Sequence, residues 1–246
     1  TRPLKDSVRE NIFNILEHSR KFNIQIKNSN VLDLYSGSGS FGFEALSRFA
    51  SKISFVENDI DAIHSGYLGQ KEQVTVIQKT ISNHPKSIYV YDPVFGDNGS
   101  LYIDKELAEE SKRQLLPFST VTTPNVFESS YLSDICVSDV DSAVKASKII
   151  QSKGPEWVLT TGVFSAENEI ADILVGPDDI GVFRHKRQRT GISGAGDTLA
   201  AILTSLLVSG KTQIEAANKA CRITQSLIEL SQSRQSMPLL TIDLIR

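Results

Sequence analysis

Short apolar runs and stretches of helical spacing alternate along this chain, and that alternation most narrows what it can fold into. Strand-like runs stand at residues 30–35 (NVLDLY), 52–57 (KISFVE), 61–66 (DAIHSG), 87–91 (SIYVY), 120–124 (TVTTP) and 157–162 (WVLTTG). Residues 6–20, 40–49, 70–83, 104–115 and 139–152 are predicted as helices. In the first of these, Val8, Ile12, Phe13, Ile15 and Leu16 recur at helical intervals. Strands that alternate with helices build a parallel sheet with helices on both faces, so the expected fold is α/β, three-layer and mostly parallel. Residues 171–190 break this rhythm, because ADILVG and IGVFRHKR read as an antiparallel hairpin. Two helices, 194–209 and 211–231, are predicted to close the chain.

The 246 residues are 40% hydrophobic and 22% charged, which supplies a packed core and excludes global disorder. A net charge of -3 argues against broad nucleic-acid binding. The two cysteines, Cys136 and Cys221, form no CxxC pair, so neither a disulfide framework nor a zinc site is expected. No apolar run reaches the ~18 residues of a membrane-spanning helix, and Thr1-Arg2-Pro3 opens no apolar signal core. These features together fit a cytoplasmic protein without a membrane partner. His18, His64, His84 and His185 lack metal-ligand spacing and read as structural or surface residues. Trp157 opens an apolar strand and is expected in the core.

The strongest chemical signal is Gly191-Ile192-Ser193-Gly194-Ala195-Gly196-Asp197, which leads into the apolar helix TLAAILTSLLVSG. Small residues let the backbone approach a ligand closely, and amides at a helix N-terminus attract anions. Asp197 in that first turn could take the proton of a hydroxyl attacking a γ-phosphate. In the plainer reading it only complements the helix N-terminus while the glycines make the turn. Three more polar clusters follow successive strands: Asp92-Pro93-Val94-Phe95-Gly96-Asp97, Thr123-Pro124-Asn125-Val126-Phe127-Glu128 and Thr160-Thr161-Gly162. Ligands of open α/β sheets sit beyond the carboxyl ends of the strands, so the clusters should converge on one crevice. Asp92, Asn125 and Glu128 offer hard oxygens that suit a hydrated Mg²⁺.

Residues 61–246 resemble the pyridoxal kinases of the ribokinase-like superfamily. The residues that carry the likeness are Ser65-Gly66-Tyr67-Leu68-Gly69, Asp92-Pro93-Val94, Thr123-Pro124-Asn125 with Glu128, Gly154-Pro155, Thr160-Thr161 and Gly194-Ala195-Gly196-Asp197. The resemblance implies ATP, Mg²⁺ and a pyridoxal-like small-molecule substrate, with Asp197 as the base that activates a hydroxymethyl oxygen. It makes Gly194, Ala195 and Gly196 an anion hole on the loop from Gly191. Asp92, Asn125 and Glu128 fall in a metal–phosphate network, with Asp92 and Glu128 reaching Mg²⁺ through water. Thr160 or Thr161 becomes a phosphate contact. The basic run Arg184–Arg189 reads as a solvated hairpin edge or as an attractor of ATP. A hydroxymethylpyrimidine kinase is the weaker match.

Residues 1–60 carry a different pattern. A GxGxxG run with Gly37 and Gly39 follows a strand, and Glu57 ends the next strand at the spacing of an acid that binds ribose hydroxyls. A tight strand–helix turn is the alternative. With Thr1-Arg2-Pro3, Asp6–Glu10, Glu44–Arg48 and Phe55–Glu57, this segment resembles bacterial small-subunit rRNA guanine methyltransferases, which implies S-adenosylmethionine at Gly37, Gly39 and Glu57. The expectation is therefore a chimera, natural or engineered. A partial Rossmann βαβ segment, 1–60, would be joined near Asp59–Ile63 to the C-terminal part of a kinase domain, 61–246, either as two domains or packed as one continuous domain. The N-terminal segment that supplies much of the vitamin pocket in the kinases is not recognisable, so substrate phosphorylation is expected to be impaired. A second copy would cover a sheet edge left open, which makes a homodimer an expectation.

Overall fold

The computed structural model describes residues 6–18, 24–34, 40–56, 60–188 and 194–231. The chain divides into two compact units, Thr1–Ile60 and Asp61–Arg246. In the first, α1 (Asp6–His18) precedes β1 (Asn30–Leu34), α2 (Ser40–Ser47) and β2 (Lys52–Val56). The two strands pair in parallel from Asn30↔Lys52 to Leu34↔Val56, so β1–α2–β2 is a βαβ unit. Phe13, Ile26, Ala45 and Ala50 form its core, against Val31 and Phe41. Glu44 accepts from Arg9 at 3.3 Å and Arg48 at 2.9 Å, and Arg48 also pairs with Glu17. Arg9 is thus engaged within the unit.

The second unit runs β3 (Ala62–Ser65), α3 (Lys71–Asn83), β4 (Ile88–Tyr91), β5 (Gly96–Asp97), β6 (Ser100–Leu101) and α4 (Lys105–Gln114). It continues through β7 (Val121–Thr122), α5 (Val126–Ser133), α6 (Val140–Gln151), β8 (Trp157–Ala166), β9 (Glu169–Val175), β10 (Ile180–Lys186), α7 (Ala195–Val208) and α8 (Gln213–Leu230). Six strands form one sheet in the order β10-β9-β8-β7-β4-β3. The pairs β3–β4, β4–β7 and β7–β8 are parallel, while β8–β9 and β9–β10 are antiparallel.

Side chains alternate across this sheet and divide its core between two faces. Val90, Val121, Trp157 and Leu159 meet Leu199, Ile202, Leu203, Leu206 and Leu207 of α7 and the alanine-rich face of α8. Tyr89, Tyr91 and Val158 point the other way, among Val74 and Ile81 of α3, Leu107 and Ala108 of α4, Leu132 of α5 and Ile150 of α6. The expected three-layer architecture is present. Burying a side chain such as Leu203 contributes on the order of 2 kcal/mol, and the spacing of the α7 leucines turns that whole stripe inward.

Three local features differ from expectation. β8 does not stop at Gly162 but continues to Ala166 and returns as β9, so the antiparallel part is a three-stranded meander and not one hairpin. The glycine that reads as a strand end sits instead at a register shift between Thr160 and Val163. A β5–β6 hairpin turns at Asn98-Gly99, both with positive φ (50° and 81°), the conformation that favours this dipeptide. α5 begins inside a stretch that the sequence marks only as a polar cluster. Its apolar periodicity is weak, but Asn125 and Glu128 form a capping box that starts it.

Candidate active site

Two of the polar clusters lie where β4 and β7 end, and the third, Thr160-Thr161-Gly162, sits at the register shift within β8. Asp92 follows β4, where its amide donates to Ser65 O at 2.9 Å and its Oδ1 accepts from the Thr123 hydroxyl at 2.8 Å. Only 5% of Asp92 is exposed. Burial pushes its carboxyl up to about 7; the Thr123 hydroxyl opposes that rise, and the charges of Glu128 and Asp197 add to it. A Cβ placed on Gly196 would stand 3.9 Å from Asp92 Oδ2, so this second oxygen faces the start of α7.

Gly194 caps α7 with φ 86°, a left-handed conformation that suits glycine. The Thr198 amide makes a bond of 3.0 Å to Gly194 O. The amides of Ala195, Gly196 and Asp197 therefore precede the helical ladder and give the N-terminus its anion-attracting character. Asp197 in this first turn is exposed. Its Oδ1 would lie 3.5 Å from a Cβ on Gly66, which places the turn after β3 against the proposed base. His64 on β3 feels the Asp197 carboxylate, which raises its pKa against a larger lowering by the protein around it. Asp92, Asp197 and the Ser65–Gly66 turn thus belong to one site. Gly191 lies outside the described residues, as do Gly37, Gly39 and Glu57.

Asn125 and Glu128 organise the neighbouring loop. Glu128 Oε2 accepts from the Asn125 amide at 2.9 Å, and Oε1 accepts from the amides of Phe95 (2.8 Å) and Gly96 (3.4 Å). Asn125 Oδ1 accepts from the Glu128 amide at 2.9 Å, while its Nδ2 donates to Gly96 O at 2.8 Å. These bonds hold a segment in which Val94 takes φ 43°, unusual for a β-branched residue. Burial raises the Glu128 carboxyl to about 7 against the three amides that stabilise its charge. Both of its oxygens serve the backbone, so its first role is to shape the loop after Asp92.

The two threonines separate cleanly. Thr160 is fully buried, with its hydroxyl 3.0 Å from Ser147 Oγ and 3.3 Å from Ser129 Oγ, on the face covered by α5 and α6. That corrects the expectation of a phosphate contact at Thr160, because side chains alternate along a strand and this one points into the interior. Thr161 points to the opposite face and lines a cavity of about 180 Å³ together with Gly162, Asp172, Ala195, Gly196 and Cys221.

Sequence reasoning missed Asp172. It is 5% exposed on β9, its Oδ2 lies 3.3 Å from His185 Nε2, and its Oδ1 accepts from the Gly162 amide at 2.9 Å. His185 accordingly turns inward from the hairpin edge. The signal was an aspartate inside the apolar run ADILV, since a carboxylate on a buried strand needs partners. Among the described residues, no three His, Cys, Asp or Glu side chains converge closely enough to hold a metal directly. Mg²⁺ generally keeps several waters and binds phosphates through one or two carboxylates. Asp92, crowded by like charge and with one oxygen turned to the anion-attracting turn, fits such a role.

A mostly parallel sheet between helical layers, with a strand-end crevice closed by a glycine-rich helix start, defines a ribokinase-like α/β protein. The chain belongs to the phosphomethylpyrimidine kinase family, whose profile matches residues 47–239. It is 32% identical over 187 residues to the pyridoxine/pyridoxal/pyridoxamine kinase of Bordetella avium (strain 197N), which covers 73% of this chain and 63% of that protein. The chain thus spans less than two thirds of the length of that relative. Among solved structures, it resembles the ADP complex of Bacillus subtilis pyridoxal kinase with a TM-score of 0.63 and 28% identity, over 71% of this chain and 66% of that one. The fold likeness to pyridoxal kinase from Entamoeba histolytica has a TM-score of 0.70 at 20% identity, over 89% of this chain and 94% of that one. The family match takes in residues 47–60, which were expected to belong to the methyltransferase-like segment. These likenesses lend no support to a methyltransferase origin for it. No helix among the described residues is long and apolar enough to cross a membrane.

Proposed function

We propose that this chain is an ATP-dependent kinase that transfers the γ-phosphoryl group to the hydroxymethyl oxygen of a pyridoxal-like small molecule. The observation that carries the proposal is Asp197 in the first turn of α7, directly behind the left-handed Gly194 and facing the Gly66 turn. Asp197 accepts the proton of the substrate hydroxyl as its oxygen bonds to the γ-phosphorus. The bond from that phosphorus to the β–γ bridging oxygen breaks, and ADP departs with the electron pair. The amides of Ala195 and Gly196 face the charge that gathers on the transferred group, where fixed donors need no reorganisation. Thr161 contacts the phosphates. Asp92 and Glu128, both through water, would hold Mg²⁺, which when bound would neutralise phosphate charge. Asn125 and Glu128 keep the loop after Asp92 in place.

Calorimetric titration with Mg·ATP tests the nucleotide half, and ATP-dependent phosphorylation of pyridoxal tests the whole. Asp197→Asn is expected to lower kcat by ~10²–10⁴-fold while Mg·ATP affinity changes little. Full turnover in that variant, or no Mg·ATP binding by the folded native chain at millimolar nucleotide, would overturn the proposal. The finer reading of residues 1–60 as a methyltransferase-derived segment rests on their separate compact unit and its parallel β1–α2–β2 arrangement. A higher melting temperature with S-adenosylmethionine would support it.

A further inference from the structure

We propose that Asp172 is a positioning residue for nucleotide binding, acting through the β8 bulge that presents Thr161; this rests on the kinase reading above. Between Thr160↔Ile173 and Val163↔Ala171, two residues of β8, Thr161 and Gly162, stand opposite the single residue Asp172. Such a bulge leaves a backbone group outside the ladder and re-aims a side chain. Here the stranded group is the Gly162 amide, at φ 72°, and the Asp172 carboxylate takes it at 2.9 Å. On the other side, the Thr161 amide donates to Pro124 O at 2.9 Å, and Thr161 bridges to Asn125. Thr161 is therefore pinned between the β7 end and Asp172.

The carboxylate itself meets two further elements. His185 of β10 lies 3.3 Å from Oδ2, and the buried Cys221 of α8 lines the same cavity beside this carboxylate. An apolar residue would suit this buried strand position without needing partners. What the carboxylate adds is a hydrogen bond that a ladder carbonyl does not supply at the bulge. The arrangement borders the cavity that Thr161 and Gly162 share with Ala195 and Gly196. Thr224 also lines that cavity, and its buried hydroxyl has no hydrogen-bond partner among the described residues, which leaves it available to a ligand or an ordered water.

Two substitutions separate positioning from simple stability. Asp172→Ala removes the acceptor and should weaken Mg·ATP, read by calorimetry and as the KM for ATP, by ~10-fold or more. Asp172→Asn keeps an amide oxygen for Gly162 and should restore Mg·ATP affinity to near the native value. The KM for pyridoxal should change little in either variant. Native Mg·ATP affinity in Asp172→Ala, or equal weakening in both variants, would overturn the proposal. Absence of Mg·ATP binding by the native chain would instead overturn the kinase reading beneath it. Where Asp172→Ala does not fold, the Gly162 amide resonance of the native protein decides: it should shift on titration with Mg·ATP, and an unmoved resonance at saturation refutes the role.

Discussion

Replacing Asp92 by asparagine should make the ligand-free protein more stable at pH 8. The carboxyl is 5% exposed, and burial together with the charges of Glu128 and Asp197 carries it from an ordinary value of 3.8 to about 7. The folded state therefore holds this proton more tightly than the unfolded chain does. Stability falls as pH rises between those two values, and the full cost is present above the folded pKa. A rise of ~3 pH units at ~1.4 kcal/mol each sets an upper bound of ~4 kcal/mol. The asparagine oxygen can still accept from Thr123, so the substitution removes charge without stranding that hydroxyl. Each kcal/mol is worth ~2–4 °C in a domain of this size. The melting temperature of Asp92→Asn should exceed the native value by several degrees at pH 8, and the gap should narrow steadily towards pH 5. Thermal unfolding without metal or nucleotide, across that pH range, is the assay. A gap that does not vary with pH, or an asparagine variant that is less stable at pH 8, would refute the reasoning.

The neighbouring threonines should behave oppositely. Thr160→Val, which loses its contacts with Ser129 and Ser147, should cost ~1–2 kcal/mol in urea unfolding and leave Mg·ATP affinity unchanged. Thr161→Val should weaken Mg·ATP in calorimetry with little change in stability. Gly194→Ala meets no atom within 4 Å, so its effect should come from the left-handed backbone alone. A loss of ~1–2 kcal/mol in unfolding is expected, with weaker Mg·ATP binding as the turn before α7 shifts.

Much of the architecture was legible because it rests on local periodicity. β4 and β8 appear as apolar runs, and α7 appears as a leucine stripe after small residues. The convergence of Asp92, Thr123 and Thr161 was also accessible, because parallel strands put their carboxyl ends on one side. α5 and the β5–β6 hairpin left only short signals, the Asn125–Glu128 capping box and Asn98-Gly99, too brief to outweigh a polar context. The bulge at Thr161-Gly162 was hidden for a different reason. A glycine at the end of an apolar run reads the same whether the strand stops or bends.

What the sequence by itself determined is the alternation of strands and helices, and with it the order of polar clusters along one edge of a sheet. Its residue types also single out Asp197, the proposed base, and the small residues before it. Only the tertiary structure decided which side chains share a site. Thr160 and Thr161 are indistinguishable as neighbours in the chain, yet the sheet sends one into the helical layer and the other into the cavity. Asp172 is distant in sequence from Gly162, His185 and Cys221, and the antiparallel meander and α8 bring all four together. Strand register and layer packing set those distances, and neither is written in any local stretch of residues.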